Sequence, residues 1–185
     1  MHHSTRNAPL NEVDRSGLGS QDGRVGRSLG MSTYESPIGT LQLHASAAGL
    51  TWCHVRRPGP AVRLDDPAGR QWIDLARSEL DEYFAGTRTT FTVPVDLGVD
   101  GVDARVLDAL PGHGGTTTYG ALARAVGDVD AQRVGAALAG NPVLVVVPCH
   151  RVIGANGKLT GYAAGLRNKR RLLDLEAGQP SLVMA

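Results

Sequence analysis

The sequence predicts an α/β fold: a small N-terminal α/β unit followed by a mainly helical C-terminal unit. Three observations carry this. Within residues 34–55, Leu41 and Leu43 alternate with polar residues, the period of a half-buried strand. An amphipathic helical pattern follows at 70–86. From Gly101 onward, short helical patterns punctuated by Gly and Pro dominate.

Residues 1–30 are polar, rich in Gly and Ser, and carry no period, so they read as a disordered leader. The adjacent His2 and His3 lie in that leader and imply no metal. Met31 would then open the folded part. Residues 34–55 read as a β-hairpin, with Pro37-Ile38-Gly39 at a strand entry and Ala48-Gly49 at the turn. Cys53, between Trp52 and His54 on the return strand, reads as a small half-buried residue. The stretch RPGPAVRLDDPAG is a loop. RQWIDLARSELDEYFAG then places apolar residues at 72, 73, 75, 76, 80, 83 and 84, one face of a helix stopped by Gly86. TFTVPVDL, residues 90–97, reads as a strand broken by Pro94. Residues 31–97 thus form an N-terminal domain, 98–178 a C-terminal domain and 179–185 a tail.

In the second domain, VDARVLDAL is a short helix ended by Pro111-Gly112. TTTYGALARAVG opens on a Thr cap, and DVDAQRVGAALAGNP is a further short helix with Asp128 or Asp130 as its cap. The two helices, joined by a tight turn, read as a helix-turn-helix. The second is poor in bulk, with Ala131, Gly135, Ala136, Ala137 and Ala139. Such a helix suits either close packing or entry into a narrow groove. VLVVV, residues 143–147, reads as a buried strand running into Pro148-Cys149-His150-Arg151.

Composition narrows the function classes. The 185 residues are 42% hydrophobic, enough for a core. Net charge is +1, but residues 101–178 carry 9 Lys/Arg against 6 Asp/Glu and residues 31–100 carry 6 against 9. A basic second half permits nucleic-acid binding without requiring it. Two cysteines are too few for a disulfide framework, which points to a reducing, cytoplasmic compartment. No apolar run reaches transmembrane length, and no secretory segment opens the chain.

Cys149 is either a core filler or a nucleophile. A free thiol titrates near pH 8.5, so reaction at neutral pH needs a base or positive surroundings. His150 is a candidate base, with Asp174 or Glu176 to orient it. Adjacent strand residues point to opposite sides, so the pair needs a turn or a bridging water.

The string PCHRVIG resembles the active-site motif of the 6-O-alkylguanine-DNA alkyltransferases, also called methylated-DNA–protein-cysteine methyltransferases. The likeness extends to Asn141-Pro142, to Gly157–Tyr162, to Lys169 and LLDLE at 172–176, to Tyr119–Ala123, to Val134-Gly135 and to the SPIGTLQLHA start. It covers roughly residues 33 to 177. The resemblance implies a ribonuclease-H-like first domain and a winged helix-turn-helix second domain. It implies a direct-reversal DNA repair protein, a monomer without cofactor; the zinc ligands of some relatives have no counterpart here, so no metal is expected. Cys149 would accept the alkyl group of 6-O-alkylguanine in double-stranded DNA once and irreversibly; 4-O-alkylthymine is a second candidate lesion. His150 would act as base through a water, oriented by Glu176. Asn141 would brace the active-site turn, and Tyr119 would assist flipping and donate to the flipped base. Ala131, Gln132, Arg133, Gly135 and Ala136 would face the minor groove, and Pro148, Val152, Tyr162, Ala163 and Ala164 would shape the pocket.

Departures from the family pattern are specific. The Arg of the family's Arg-Ala-Val-Gly string, inserted where the base left, has two counterparts here. Alignment on Val134-Gly135 gives Gln132, whereas counting from Tyr119 gives Arg133, the slightly preferred choice. Ala163-Ala164 replaces a Gly-rich turn, and Leu107 replaces a Trp. Two alternatives stand beside the main reading: an alkyl-lesion sensor with weak transfer, and an alkyltransferase specialised for bulky adducts.

Overall fold

The computed structural model describes residues 30–55 and 67–178. Strands β1 (Gly30–Tyr34), β2 (Leu41–Ala45) and β3 (Leu50–Val55) form an antiparallel sheet in that order. The predicted hairpin is therefore the second half of a meander, and Gly30, assigned to the leader, begins its first strand. The rest of the leader and the tail 179–185 lie outside the described residues. Leu41, Leu43 and Ala45 are fully buried on one face of β2, the pleat expected from their alternation. Helix α1 (Pro67–Phe84) packs on the sheet. It begins at Pro67, ahead of the amphipathic run, because proline suits a first helical position. A Cβ on Gly69 would run into the Ala45 carbonyl, so this glycine sets how closely α1 lies on β2. The helix buries Ile73, Ala76, Leu80 and Tyr83.

Residues 90–97 do not form the predicted strand. The backbone N–H groups of Thr92 and Val93 are spent on the buried Glu79 carboxylate, each at 3.0 Å. Pro94 has no N–H to give, and pairing survives only as a single bridge between Val95 and Leu50.

The second half comprises α2 (Gly101–Asp108), β4 (Thr117–Thr118), α3 (Tyr119–Val126), α4 (Ala131–Ala139), β5 (Val152–Ile153) and α5 (Leu166–Glu176). Thr118 caps α3, accepting from the Ala121 N–H at 3.1 Å. Asp130 caps α4, accepting from the Arg133 N–H at 2.7 Å, while Asp128 sits in the preceding turn with φ +55°. Helices α3 and α4 form the expected helix-turn-helix, packed against α2. The parallel β4–β5 pair, only two residues long, is too short to leave a period in the sequence.

The five-residue apolar run 143–147 is buried but is not the predicted strand. Val143 pairs with Cys53 of β3 at one bridge, and the chain then turns, with Val145 at φ +73°. Continuous burial looks the same in sequence for a strand and for a turn enclosed by core. Hydrophobic residues of both halves join one core, with Leu41, Leu80, Val106, Leu122, Val143 and Leu172 among its members. No helix among the described residues is long and apolar enough to cross a membrane.

Candidate active site

Asn141 builds the turn that delivers the cysteine. Its side-chain oxygen accepts from the Val143 N–H at 3.0 Å, and its amide nitrogen donates to the Val147 carbonyl at 2.9 Å. The same nitrogen lies 3.1 Å from Cys149 Sγ. Cys149 then opens a single turn of 3-10 helix, Cys149–Arg151, in which the Arg151 N–H returns to the Pro148 carbonyl at 3.0 Å. The expected turn is present, but no hydrogen bond joins Cys149 directly to His150 among the described residues.

His150 is fully buried, and its Nε2 lies 2.8 Å from Glu176 Oε1. The carboxylate that meets His150 is Glu176; Asp174, the other candidate, is not in this network. Arg151 forks onto the same carboxylate, Nε to Oε2 and Nη2 to Oε1, both at 2.8 Å, and its Nη1 donates to the Pro111 carbonyl at 2.7 Å. Tyr83 of α1 adds a further donor to Oε1 at 2.8 Å. Burial opposes ionisation of Glu176, but the His150 and Arg151 hydrogen bonds outweigh it and hold the carboxyl below the usual carboxylate range. An ionised Glu176 only accepts, so Nε2 carries the imidazole proton and Nδ1 keeps a free lone pair. Nδ1 is buried without a hydrogen-bond partner among the described residues. Burial lowers the pKa of His150, against the pull of the Glu176 hydrogen bond, and so favours the neutral imidazole. Burial raises that of Cys149, while the Asn141 hydrogen bond and the Lys169 charge work in the opposite direction. Cys53, expected to be half-buried, is instead fully buried in the core, and burial pushes its thiol up to about 12.

Cys149 lies on the wall of a pocket of about 390 Å³, shared with Tyr119, Gly135, Leu138, Ala139, Gly161, Tyr162 and Ala163. Pro148, Val152 and Ala164, expected at the pocket, are not among its lining residues. Val152 is fully buried and its carbonyl accepts from Lys169 Nζ at 2.6 Å. Lys169, also fully buried, gathers the Thr160 and Gly161 carbonyls as well, at 2.6 and 3.0 Å. Tyr119 Oη reaches the Thr160 carbonyl at 3.2 Å. Sequence reasoning gave no role to Tyr83, Arg151 or Lys169. Tyr83 reads as core, and Lys169 is one of several cations in LRNKRR. Among the described residues no three His, Cys, Asp or Glu side chains gather as a metal site.

The two halves also match known proteins. Residues 30–97 match the ribonuclease-like domain of 6-O-methylguanine DNA methyltransferase and residues 104–178 its DNA binding domain. A methylated-DNA–protein-cysteine methyltransferase of Mycobacterium leprae is 48% identical over 157 residues, 80% of this chain and 92% of the relative. The chain belongs to the 6-O-methylguanine DNA methyltransferase family. A protein of the same name from Methanosarcina acetivorans is 39% identical over 77% of this chain and 95% of the relative. The crystal structure of Mycobacterium tuberculosis OGT in complex with DNA superposes with a TM-score of 0.71 at 40% identity, covering 80% of this chain and 94% of that one.

In this methyltransferase α4 carries the two candidates for the inserted residue on different faces. Ala131, Gln132, Ala136 and Ala139 are exposed, with Gly135 beside them, while Val134, Ala137 and Leu138 are buried. Most of the small residues therefore sit on the open face, not the packed one. A Cβ at Gly135 would make only ordinary contact with Tyr119, at 4.0 Å, so close packing does not demand the glycine. Gln132 shares the open face. Arg133 is turned about 100° away and forms an ion pair with Asp103 of α2 at 2.6 Å.

Proposed function

We propose that this methyltransferase performs direct-reversal DNA repair, moving the alkyl group of 6-O-alkylguanine to Cys149 irreversibly. The observation that carries this is a cysteine on a pocket wall, followed in sequence by a buried His150–Glu176 pair. A base inside a duplex hides its reactive atom, so the nucleotide must be flipped out before it can reach such a thiol. The open, small-residue face of α4 suits the minor groove, where Ala131, Gly135 and Ala136 admit the backbone closely. Gln132 replaces the flipped base in the stack. Arg133, paired with Asp103, is the weaker candidate.

His150 Nδ1 draws the thiol proton through a water. The sulfur forms an S–C bond as the C–O bond to guanine breaks, and the departing guanine takes up a proton from Tyr119, balanced by the thiol proton now on His150. Tyr119, at the pocket mouth, donates to the flipped base. Asn141 holds the sulfur and the turn, and Tyr162 and Ala163 bound the alkyl group. Pro148, Val152 and Ala164 act from behind the wall, by shaping the loop. A thioether is not displaced by any group in the site, so each molecule reacts once. The transfer conserves electrons and protons between thiol and guanine and draws on no cofactor. The chain acts as a cytoplasmic monomer whose domains are 31–97 and 98–178.

Intact mass after incubation with a duplex carrying one 6-O-methylguanine tests this. One added methyl, mapped to Cys149 by digestion and lost in Cys149→Ala, is expected. Tight binding of the duplex with no gain in mass would make the chain a lesion sensor instead.

A further inference from the structure

Glu176 Oε1 receives three donors: His150 Nε2, Arg151 Nη2 and Tyr83 Oη, each at 2.8 Å. A carboxylate oxygen offers about two lone-pair sites. The three donors therefore compete for it, and each weakens the hold of the others. Tyr83 comes from α1, in the first half of the chain, 93 residues from Glu176. It is 1% exposed, and its ring packs against Phe84 and Phe91 at centroid distances of 5.2 and 5.3 Å, which fixes where the hydroxyl points.

We propose that Tyr83 is a positioning residue for alkyl transfer, through which the N-terminal domain sets how strongly Glu176 holds the catalytic imidazole. This rests on the alkyl-transfer reading of Cys149 and extends it across the domain boundary. The charged and titratable groups around the pair are few. Glu176 and Lys169 come from α5, Arg151 and Cys149 from the 3-10 turn, Tyr162 from the loop before α5, and Tyr83 from α1. Among them Tyr83 is the donor from the first domain that reaches the carboxylate. Burial and the neighbouring Glu176 charge raise its own pKa, so it remains a neutral donor throughout the working range.

Removing the hydroxyl alone, in Tyr83→Phe, leaves Oε1 with two donors and a less neutralised charge. The imidazolium form of His150 gains from that change. The titration of His150, followed by NMR of the intact protein and assigned by its loss in His150→Gln, is expected to move to higher pH. The acidic limb of the methyl-transfer rate moves the same way. At pH values below that limb, transfer slows on the order of threefold relative to wild type, since one pH unit corresponds to tenfold. Phe91→Leu, which disturbs the packing of the ring but leaves the hydroxyl, is expected to lower Tm without moving either titration. Superimposable His150 titrations in wild type and Tyr83→Phe would overturn the proposal, as would an equal displacement in Phe91→Leu. The NMR titration needs no DNA. A shifted titration in a protein that never accepts a methyl group would therefore sink the alkyl-transfer reading while leaving the Tyr83 link standing.

Discussion

Asn141 holds three groups with one amide: the Val143 N–H, the Val147 carbonyl and the Cys149 sulfur. Val143 is fully buried and Val147 nearly so. Asn141→Ala would leave the buried Val143 N–H without a partner, while the Val147 carbonyl keeps the Cys149 N–H at 2.9 Å. That costs about 1–3 kcal/mol, to be read by urea unfolding. Transfer should fall further than stability alone explains, because the thiolate also loses a donor. Asn141 was visible in the sequence through Asn-Pro ahead of the Cys-His pair. Glu176 was visible as one of two acids. Tyr83 was not, because nothing local distinguishes an aromatic residue that closes a hydrogen-bond network from one that fills a core.

At the scale of elements, the proposed base flipping rests on α4. Gln132→Ala should slow transfer from duplex DNA on the order of tenfold, a fraction of the cost of unstacking a base. The same change should matter little for a lesion in single-stranded DNA, which needs no opening. Arg133→Ala should leave both rates near wild type, since its partner Asp103 lies within the protein. The reverse ranking in a stopped-flow comparison would return the role to Arg133. The helices were legible because their caps and 3.6-residue patterns are local. The runs at 90–97 and 143–147 were misread for a shared reason. Side-chain polarity records burial, whereas strand pairing depends on where the backbone N–H groups are spent. At 92 and 93 they go to Glu79, and around 143–147 the turn closes on Asn141.

For the whole molecule, pH links the site to stability. The folded pKa of His150 is lowered. Its contribution is fully present above the unfolded value, about 6.5, and declines as pH falls below that, because only the unfolded chain takes the proton. Glu176 is also depressed, and its contribution is present above the unfolded carboxylate value, about 4.3. It is lost as pH falls further toward the folded value. Urea midpoints should therefore decline in two stages on acidification. His150→Gln should abolish the upper stage and Glu176→Gln flatten the lower one. The α/β class and the order of the two halves were readable from composition and period. Their shared core was not, since contacts such as Cys53 with Val143 join residues far apart in the chain.

Glu176 is the last residue of α5, 26 positions beyond the imidazole it holds. A growing polypeptide leaves the ribosome from its N-terminal end, so Cys149 and His150 emerge before Glu176 does. During that interval the cysteine is an ordinary thiol, no more prone than any other to capture a stray electrophile. Chemical competence arrives only when α5 has emerged and its final turn has docked. For a protein that can react only once, this ordering protects the single shot until there is a finished molecule to use it.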